Sequence, residues 1–220
     1  MNGSMKLKEI TMKKNKLMLF VGVFSLVGTF CVYNKLPTRI PIHWGLDGTI
    51  DRFGDRMFVF FTGSLPLFMY VLYLIIPKID PRKDSYEKHA NSYKIIILAI
   101  VLFLIEFHWV SILFSLGYGV NMPLIIKLSI GILFIVVGNY MPLIKHNYTL
   151  GIRTPWTLAS EIVWEKTHRV GGYLWVLSGF TWAFFAFLNQ PWVFFALMGQ
   201  LVLCLMGIIV YSYILFRNIS

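Results

Sequence analysis

The chain has 220 residues, 57% of them apolar and only 14% charged, with 19 Phe, 7 Trp and 11 Tyr, where an ordinary soluble domain runs at roughly 45–50% apolar and 25% charged. A water-soluble fold of this size has no interior for that load, which excludes a soluble enzyme, a disordered chain and a nucleic-acid-binding domain. The net charge of +10 does not reopen the nucleic-acid reading, because the basic residues sit between apolar runs, where membrane proteins use them to fix orientation.

Residues 1–16 form a basic tail with Lys6, Lys8, Lys13, Lys14 and Lys16. An apolar run follows and resembles a signal peptide, but no A-x-A-like cleavage site comes after it, so an uncleaved first helix is expected. Met5 and Met12 are alternative starts. Crossing a bilayer helically takes about 20 predominantly apolar residues. Six stretches qualify: 17–33, 57–77 (interrupted by Gly63 and Pro66), 95–116, 120–141, 173–188 and 192–216. The runs are continuous rather than alternating, which predicts a helical bundle and not a barrel. With both termini inside, the inner segments carry fifteen Lys and Arg and the outer ones four, with Lys127 inside a span, so the chain is expected to be N-in and C-in. The short turns 117–121 and 189–191 make spans three and four one antiparallel hairpin and spans five and six another. Cys31 and Cys204 both fall within spans and read as small packing residues.

Glu106 and His108 lie in the third span and Lys127 in the fourth. Ionisable groups in lipid are costly and face a partner or the bundle interior. At 1.5 Å per residue the depths of Glu106 and Lys127 differ by roughly 4–5 Å, within side-chain reach. Their pairing serves either as a register device, the reading preferred here, or as the lining of a proton or ligand cavity. His108 lies about 200° around the helix from Glu106 and cannot share its partner.

The outer loop 34–56 interleaves Lys35, Arg39, Arg52 and Arg56 with Asp47, Asp51 and Asp55. Pro37 and Pro41 restrict its entry, and Asp47-Gly48 suggests a hairpin-like turn. It reads as a small cap over the helices or as a recognition surface, with the cap preferred. His43, Asp47, Asp51 and Asp55 recur every four residues, but Gly45, Gly48 and Gly54 break a helix there and the spacing is not that of an EF-hand. No metal or cofactor site is assigned. In the inner loop 142–172, Thr154 is a good N-cap and Pro155 a good first helical residue. A helix over 155–170 ending at Gly171 is expected, with Glu161, Trp164 or Glu165, and His168 on one face and a Glu165–Arg169 pair. Trp156 and Trp164 suit a membrane interface. This helix is either an interfacial anchor or a platform for a cytoplasmic protein. Glu165-Lys-Thr-His168 has di-iron spacing, but the spans supply no further carboxylate helices. H-E-x-x-H, Walker and G-x-S-x-G motifs are absent, and no enzyme is expected.

Gly138-Asn139-Tyr140-Met141-Pro142, Lys145, Asn147, the run Gly151-Ile-Arg153-Thr154-Pro155-Trp156-Thr-Leu158, Glu161, Val163-Trp164, Thr167-His168-Arg169 and Gly171-Gly172 together resemble the SdpI family of bacterial toxin-immunity membrane proteins. Leu36-Pro37, Ile40-Pro41, His43, Gly48 and Asp51 resemble a module that often precedes it. Leu143 and His146 depart from the Lys and Pro common at those places. The resemblance implies immunity to a secreted SDP-like peptide toxin, met by Pro37, Pro41, His43, Gly48 and Asp51. It also implies signalling, by capture of an SdpR-like repressor without direct nucleic-acid contact; the signature residues from Asn139 to Arg169 serve either that docking or the structure of the loop. The expected protein is therefore an all-α, six-helix, N-in/C-in bundle in the cell membrane. It has a folded outer loop, an N-terminal module over 17–116 and an SdpI-like module over 117–220. The competing reading is a small transporter or flippase using Glu106, Lys127 and His108.

Overall fold

A computed structural model describes residues 2–45, 48–188 and 190–219, with side chains from Lys16 onward. The side chains of Lys6, Lys8, Lys13 and Lys14, the turn residue Asp47, and Asn189 of the last outer turn lie outside the described residues. The long helices are α1 (Asn2–Tyr33), α2 (Phe58–Ile79), α4 (Ala90–Ser115), α5 (Met122–Tyr140), α7 (Glu161–Phe185) and α8 (Pro191–Ile219), with short helices α3 (Lys83–Lys88) and α6 (Pro155–Ala159) between them. Among the described residues, five helical segments are long and apolar enough to cross a membrane: 16–33, 58–79, 90–115, 122–143 and 191–219. The chain is a multi-pass membrane protein. The expected fifth span, 173–188, becomes the second half of α7, whose first half carries Glu161, Glu165, Lys166 and Arg169. The 13 apolar-side residues 173–185 rise only about 20 Å at 1.5 Å each, short of the ~30 Å hydrocarbon core.

The fold is not all-α. Strands β1 (Arg39–Trp44) and β2 (Ile50–Asp55) pair antiparallel, from Arg39 opposite Asp55 to Trp44 opposite Ile50, with irregular register around His43. Residues before proline are pushed towards extended backbone, and Thr38-Arg-Ile-Pro-Ile supplies β-branched side chains that suit a pleated surface. Gly45 N–H closes the loop onto the Thr49 carbonyl at 2.7 Å. Gly48 has φ +81, and a Cβ there would lie 2.4 Å from Pro123, so both backbone and space demand glycine.

Contacts divide the chain into two units: Met1–Gly45, Thr49–Leu74 and Ile100–Val120 in the first, Leu46–Gly48, Ile75–Ala99 and Asn121–Ser220 in the second. In the first, Leu36 and Ile40 are buried with Val59 of α2 and Ile112 of α4, with Trp109 packed against them. Exposed β2 residues such as Phe53 sit on the other side. Deeper in this unit, His108 is 1% exposed. Its Nε2 meets the Thr29 hydroxyl and its Nδ1 the Thr62 hydroxyl, each at 2.8 Å.

In the second unit α5 and α7 lie backbone to backbone. A Cβ on Gly138 would be 2.7 Å from the Gly172 carbonyl oxygen, and one on Gly179 would be 2.5 Å from that of Gly131. Two glycines seven residues apart on each helix thus face each other antiparallel, the small-residue packing that membrane helices use in place of a hydrophobic drive. This corrects the expected helix end at Gly171. Glycine serves here for close approach and not for a left-handed cap, and α7 runs on to Phe185. The break comes earlier, at Ser160 (φ −139, ψ 125), which separates α6 from α7 and caps the latter through Val163 N–H. Cys204 packs against Ser178 (3.7 Å), whereas Cys31 is exposed on α1.

Candidate functional site

Of the residues singled out between 139 and 169, Asn147, Thr154, Trp164 and His168 are buried in the second unit, and Asn147, Trp164 and His168 belong to a polar core there. Its first hub is Asp80, which directly follows α2 and is 3% exposed. Its carboxylate accepts from Arg82 N–H (2.8 Å), Tyr148 N–H (3.0 Å), the Thr149 hydroxyl (2.6 Å) and the Tyr86 hydroxyl (3.2 Å). Burial pushes the Asp80 carboxyl up, but these hydrogen bonds together outweigh it and hold it below its ordinary value. Burial, with the Asp80 charge beside it, pushes the Tyr86 hydroxyl up to about 12.

Asn147 is the second hub and is wholly buried. Its Oδ1 accepts from the N–H groups of Thr149 (2.8 Å) and Leu150 (2.7 Å), while Nδ2 donates to the carbonyls of Lys145 (2.9 Å) and Leu150 (3.0 Å). The side chain replaces the backbone ladder that an irregular buried segment lacks.

The third feature is a stack of rings. Trp164, wholly buried, lies between His146 (centroids 4.9 Å) and His168 (4.0 Å), and its indole N–H donates to the Ile144 carbonyl at 2.8 Å. His168 accepts Ile152 N–H at Nε2 (2.9 Å) and donates from Nδ1 to the Trp164 carbonyl (2.8 Å), which makes it the neutral Nδ1–H tautomer. Burial pushes the His168 imidazole down to about 4. His146 Nδ1 accepts from Arg82 Nη1 at 2.8 Å and His89 Nδ1 from Lys145 N–H at 3.2 Å. Burial lowers both, His89 to about 4. Gly151 closes the stack: at φ +113, any Cβ would lie 2.3 Å from His168 Nε2.

Thr154 caps α6 as expected, in a reciprocal box with Thr157, and also bonds Ser212 on α8 at 3.1 Å. Pro155 takes the first turn. Trp156 packs on Tyr213 (5.1 Å), with Arg217 over the same Tyr213 ring, an arrangement suited to an interface anchor. Pro142 lies against Gly172, and Asn139 back-bonds to the Ile135 carbonyl at 2.9 Å. Asn139, Gly151, Arg153, Pro155, Glu161 and Arg169 are the exposed ones. Arg153 donates to the Tyr148 carbonyl at 2.9 Å. Glu165 pairs with Lys145 (3.3 Å) and not with Arg169, because Lys145 is brought alongside by the loop. Glu161 stays exposed at the start of α7 while Trp164 and His168 turn inward.

In the outer hairpin Pro41 is buried and Pro37, His43 and Asp51 are exposed. His43 Nδ1 and Asp51 Oδ1 meet at 2.7 Å. Of the groups expected inside the membrane, Glu106 lies on an exposed face of α4, His108 is buried, and Lys127 donates to the Leu188 carbonyl. The sequence reading passed over Asp80, Arg82, Tyr86 and His89. The Asp80-Pro81 dipeptide at the end of an apolar run is the signal that could have marked them, since Asp before Pro initiates turns.

Residues 143–212 match the model of the SdpI/YfhL protein family, and residues 20–70 match that of a domain of unknown function (DUF1648). The chain is 29% identical over 209 residues to "Immunity protein SdpI" of Bacillus subtilis (strain 168), covering 95% of this chain and 99% of that protein. No solved structure matches.

Proposed function

We propose that the chain, whose residues 143–212 match the SdpI/YfhL protein family, is a membrane immunity protein that shields its cell from a secreted peptide toxin. The near end-to-end match to an immunity protein carries the reading. In this proposal the stretch 173–188 is the fifth of six spans, a short one accommodated by local thinning of the bilayer, both termini are inside, and the hairpin faces outward. The fifteen-to-four distribution of basic residues supports that orientation. The toxin meets the exposed side of the hairpin around His43, Asp51 and Phe53, which is 47% exposed. A folded hairpin seated on buried Leu36 and Ile40 offers such a ligand a preformed surface.

The inner loop takes a second role in the proposal, as the docking rim for an SdpR-like repressor through Arg153, Glu161 and Arg169. Their exposure at the rim of the buried core supports this division of labour. The test is survival and membrane potential of a toxin-sensitive Gram-positive host, with and without this protein, across a titration of purified SDP peptide. Retained potential at lethal doses supports immunity. Unchanged killing with the protein shown to be in the membrane overturns it for this toxin. Charge removal at Arg153, Glu161 and Arg169 is expected to abolish repressor recruitment while protection persists. Loss of both functions at normal expression counts against a separate docking rim.

A further inference from the structure

The second unit contains a cavity of about 390 Å³ between α4, α5, α7 and α8, closed on one side by residues 150–154. Ile96, Val137, Trp175, Leu205 and Ile208 line it, and Arg153 stands among the lining residues as its one charged group. We propose that this cavity holds one acyl chain of an anionic phospholipid, whose phosphate sits on the Arg153 guanidinium.

Four observations carry the proposal. The walls offer water almost nothing: the Thr154 hydroxyl at the edge is already tied to Ser212 and Thr157, and a buried water needs two to four polar partners. The size fits a chain, because a methylene is comparable to a water, which takes about 30 Å³ in the liquid, so roughly a dozen methylenes fill the space. The supply is at hand, since α4, α5 and α8 are membrane-length helices whose outer faces meet lipid. Arg153 is exposed, and its one hydrogen bond among the described residues fixes Nη1 on the Tyr148 carbonyl. The rest of its fork of five N–H donors is left for a bidentate oxyanion such as phosphate.

The same physics says which lipid is held. Moving a chain from bilayer to cavity gains little, because lipid tails are as apolar as the Ile and Leu lining it. Selection therefore falls to the headgroup, and basic pockets at the ends of membrane helices select anionic ones. The proposal is independent of the immunity reading.

The test uses the full chain in nanodiscs of equal phosphatidylglycerol and phosphatidylcholine, extracted gently, with bound lipid counted by mass spectrometry. One phosphatidylglycerol per chain is expected, retained about fivefold over phosphatidylcholine, the factor one basic group provides near a membrane surface. Arg153→Gln should erase the preference and Arg153→Lys keep most of it. Ile208→Trp, which fills the cavity, should lower retention of both lipids at unchanged melting temperature. Equal retention of the two lipids by the wild type overturns the proposal. So does a preference that survives Arg153→Gln, or unaltered retention in a folded Ile208→Trp protein.

Discussion

Asn147→Ala is expected to unfold the inner loop before anything else in the second unit. The side chain is wholly buried and serves four backbone groups, at 2.8 and 2.7 Å as acceptor and 2.9 and 3.0 Å as donor. Each buried group left without a partner costs about 1–3 kcal/mol. Water reaches some of this half-buried loop, so the total comes to about 3–5 kcal/mol rather than the full sum. For a chain of this length each kcal/mol moves the midpoint by about 2–4 °C, which makes the drop on the order of 10 °C. The assay is thermal melting in detergent, followed by tryptophan emission and by monodispersity. Asn147→Asp sharpens the test. It keeps both acceptor bonds but places a carboxylate on the same Tyr86 hydroxyl that already serves Asp80, at 3.4 and 3.2 Å. The gap in stability between that variant and the wild type should be wider at pH 8 than at pH 5, because two like charges share one site. A shift below ~2 °C for Asn147→Ala, on the same scale, or a gap between Asn147→Asp and the wild type that does not change with pH, would refute the hub.

Gly172→Val should abolish the folded, monodisperse protein, since its first added carbon meets the Gly138 carbonyl oxygen at 2.7 Å. Gly199→Ala, with nothing within 4 Å, should leave elution unchanged. His89 and His168 are held at about 4 against an ordinary 6.5. They stay neutral when folded while the unfolded chain takes up protons, so stability is intact above pH 6.5 and falls towards pH 4. The loss is about 3 kcal/mol for each histidine below that; melting against pH should show the slope, reduced in His168→Gln. Trp164→Phe strands the Ile144 carbonyl and should cost about 1–3 kcal/mol, measurable in the same melts. His43→Ala should change stability by under about 1 kcal/mol, because the pair with Asp51 is exposed. A clear drop in melting temperature would show the hairpin to depend on that pair.

Much of this architecture is legible in the sequence because it is local. Continuous apolar runs place α2, α4, α5, α8 and the membrane segment 16–33 of α1 to within a few residues, and Thr154-Pro155 marks the start of α6. The polar core is not local. Asp80 meets Tyr148 and Thr149 across 68 and 69 residues, and Ser85 meets His146 across 61. No window of periodicity spans those separations. The helix end expected at Gly171 fails for a related reason: a glycine that ends a helix and one that, like Gly172, admits a neighbouring backbone look alike until the neighbour is known. Arg153 and Glu161 were legible as members of a pattern, while their exposure, beside the burial of Trp164 and His168, was not.

The contact of Gly131 and Gly138 with Gly179 and Gly172 also sets what lengths these helices can have. One residue inserted between the glycines of either helix turns everything beyond it by about 100° and carries the second glycine away from its mate. An added whole turn restores the face but moves the second glycine about 5.4 Å along the axis, past its mate. Lineages diverging from this chain are therefore free to lengthen or trim the connections outside the pair. Between positions 131 and 138, and between 172 and 179, the ruler is fixed, and relatives should show substitutions there without gaps.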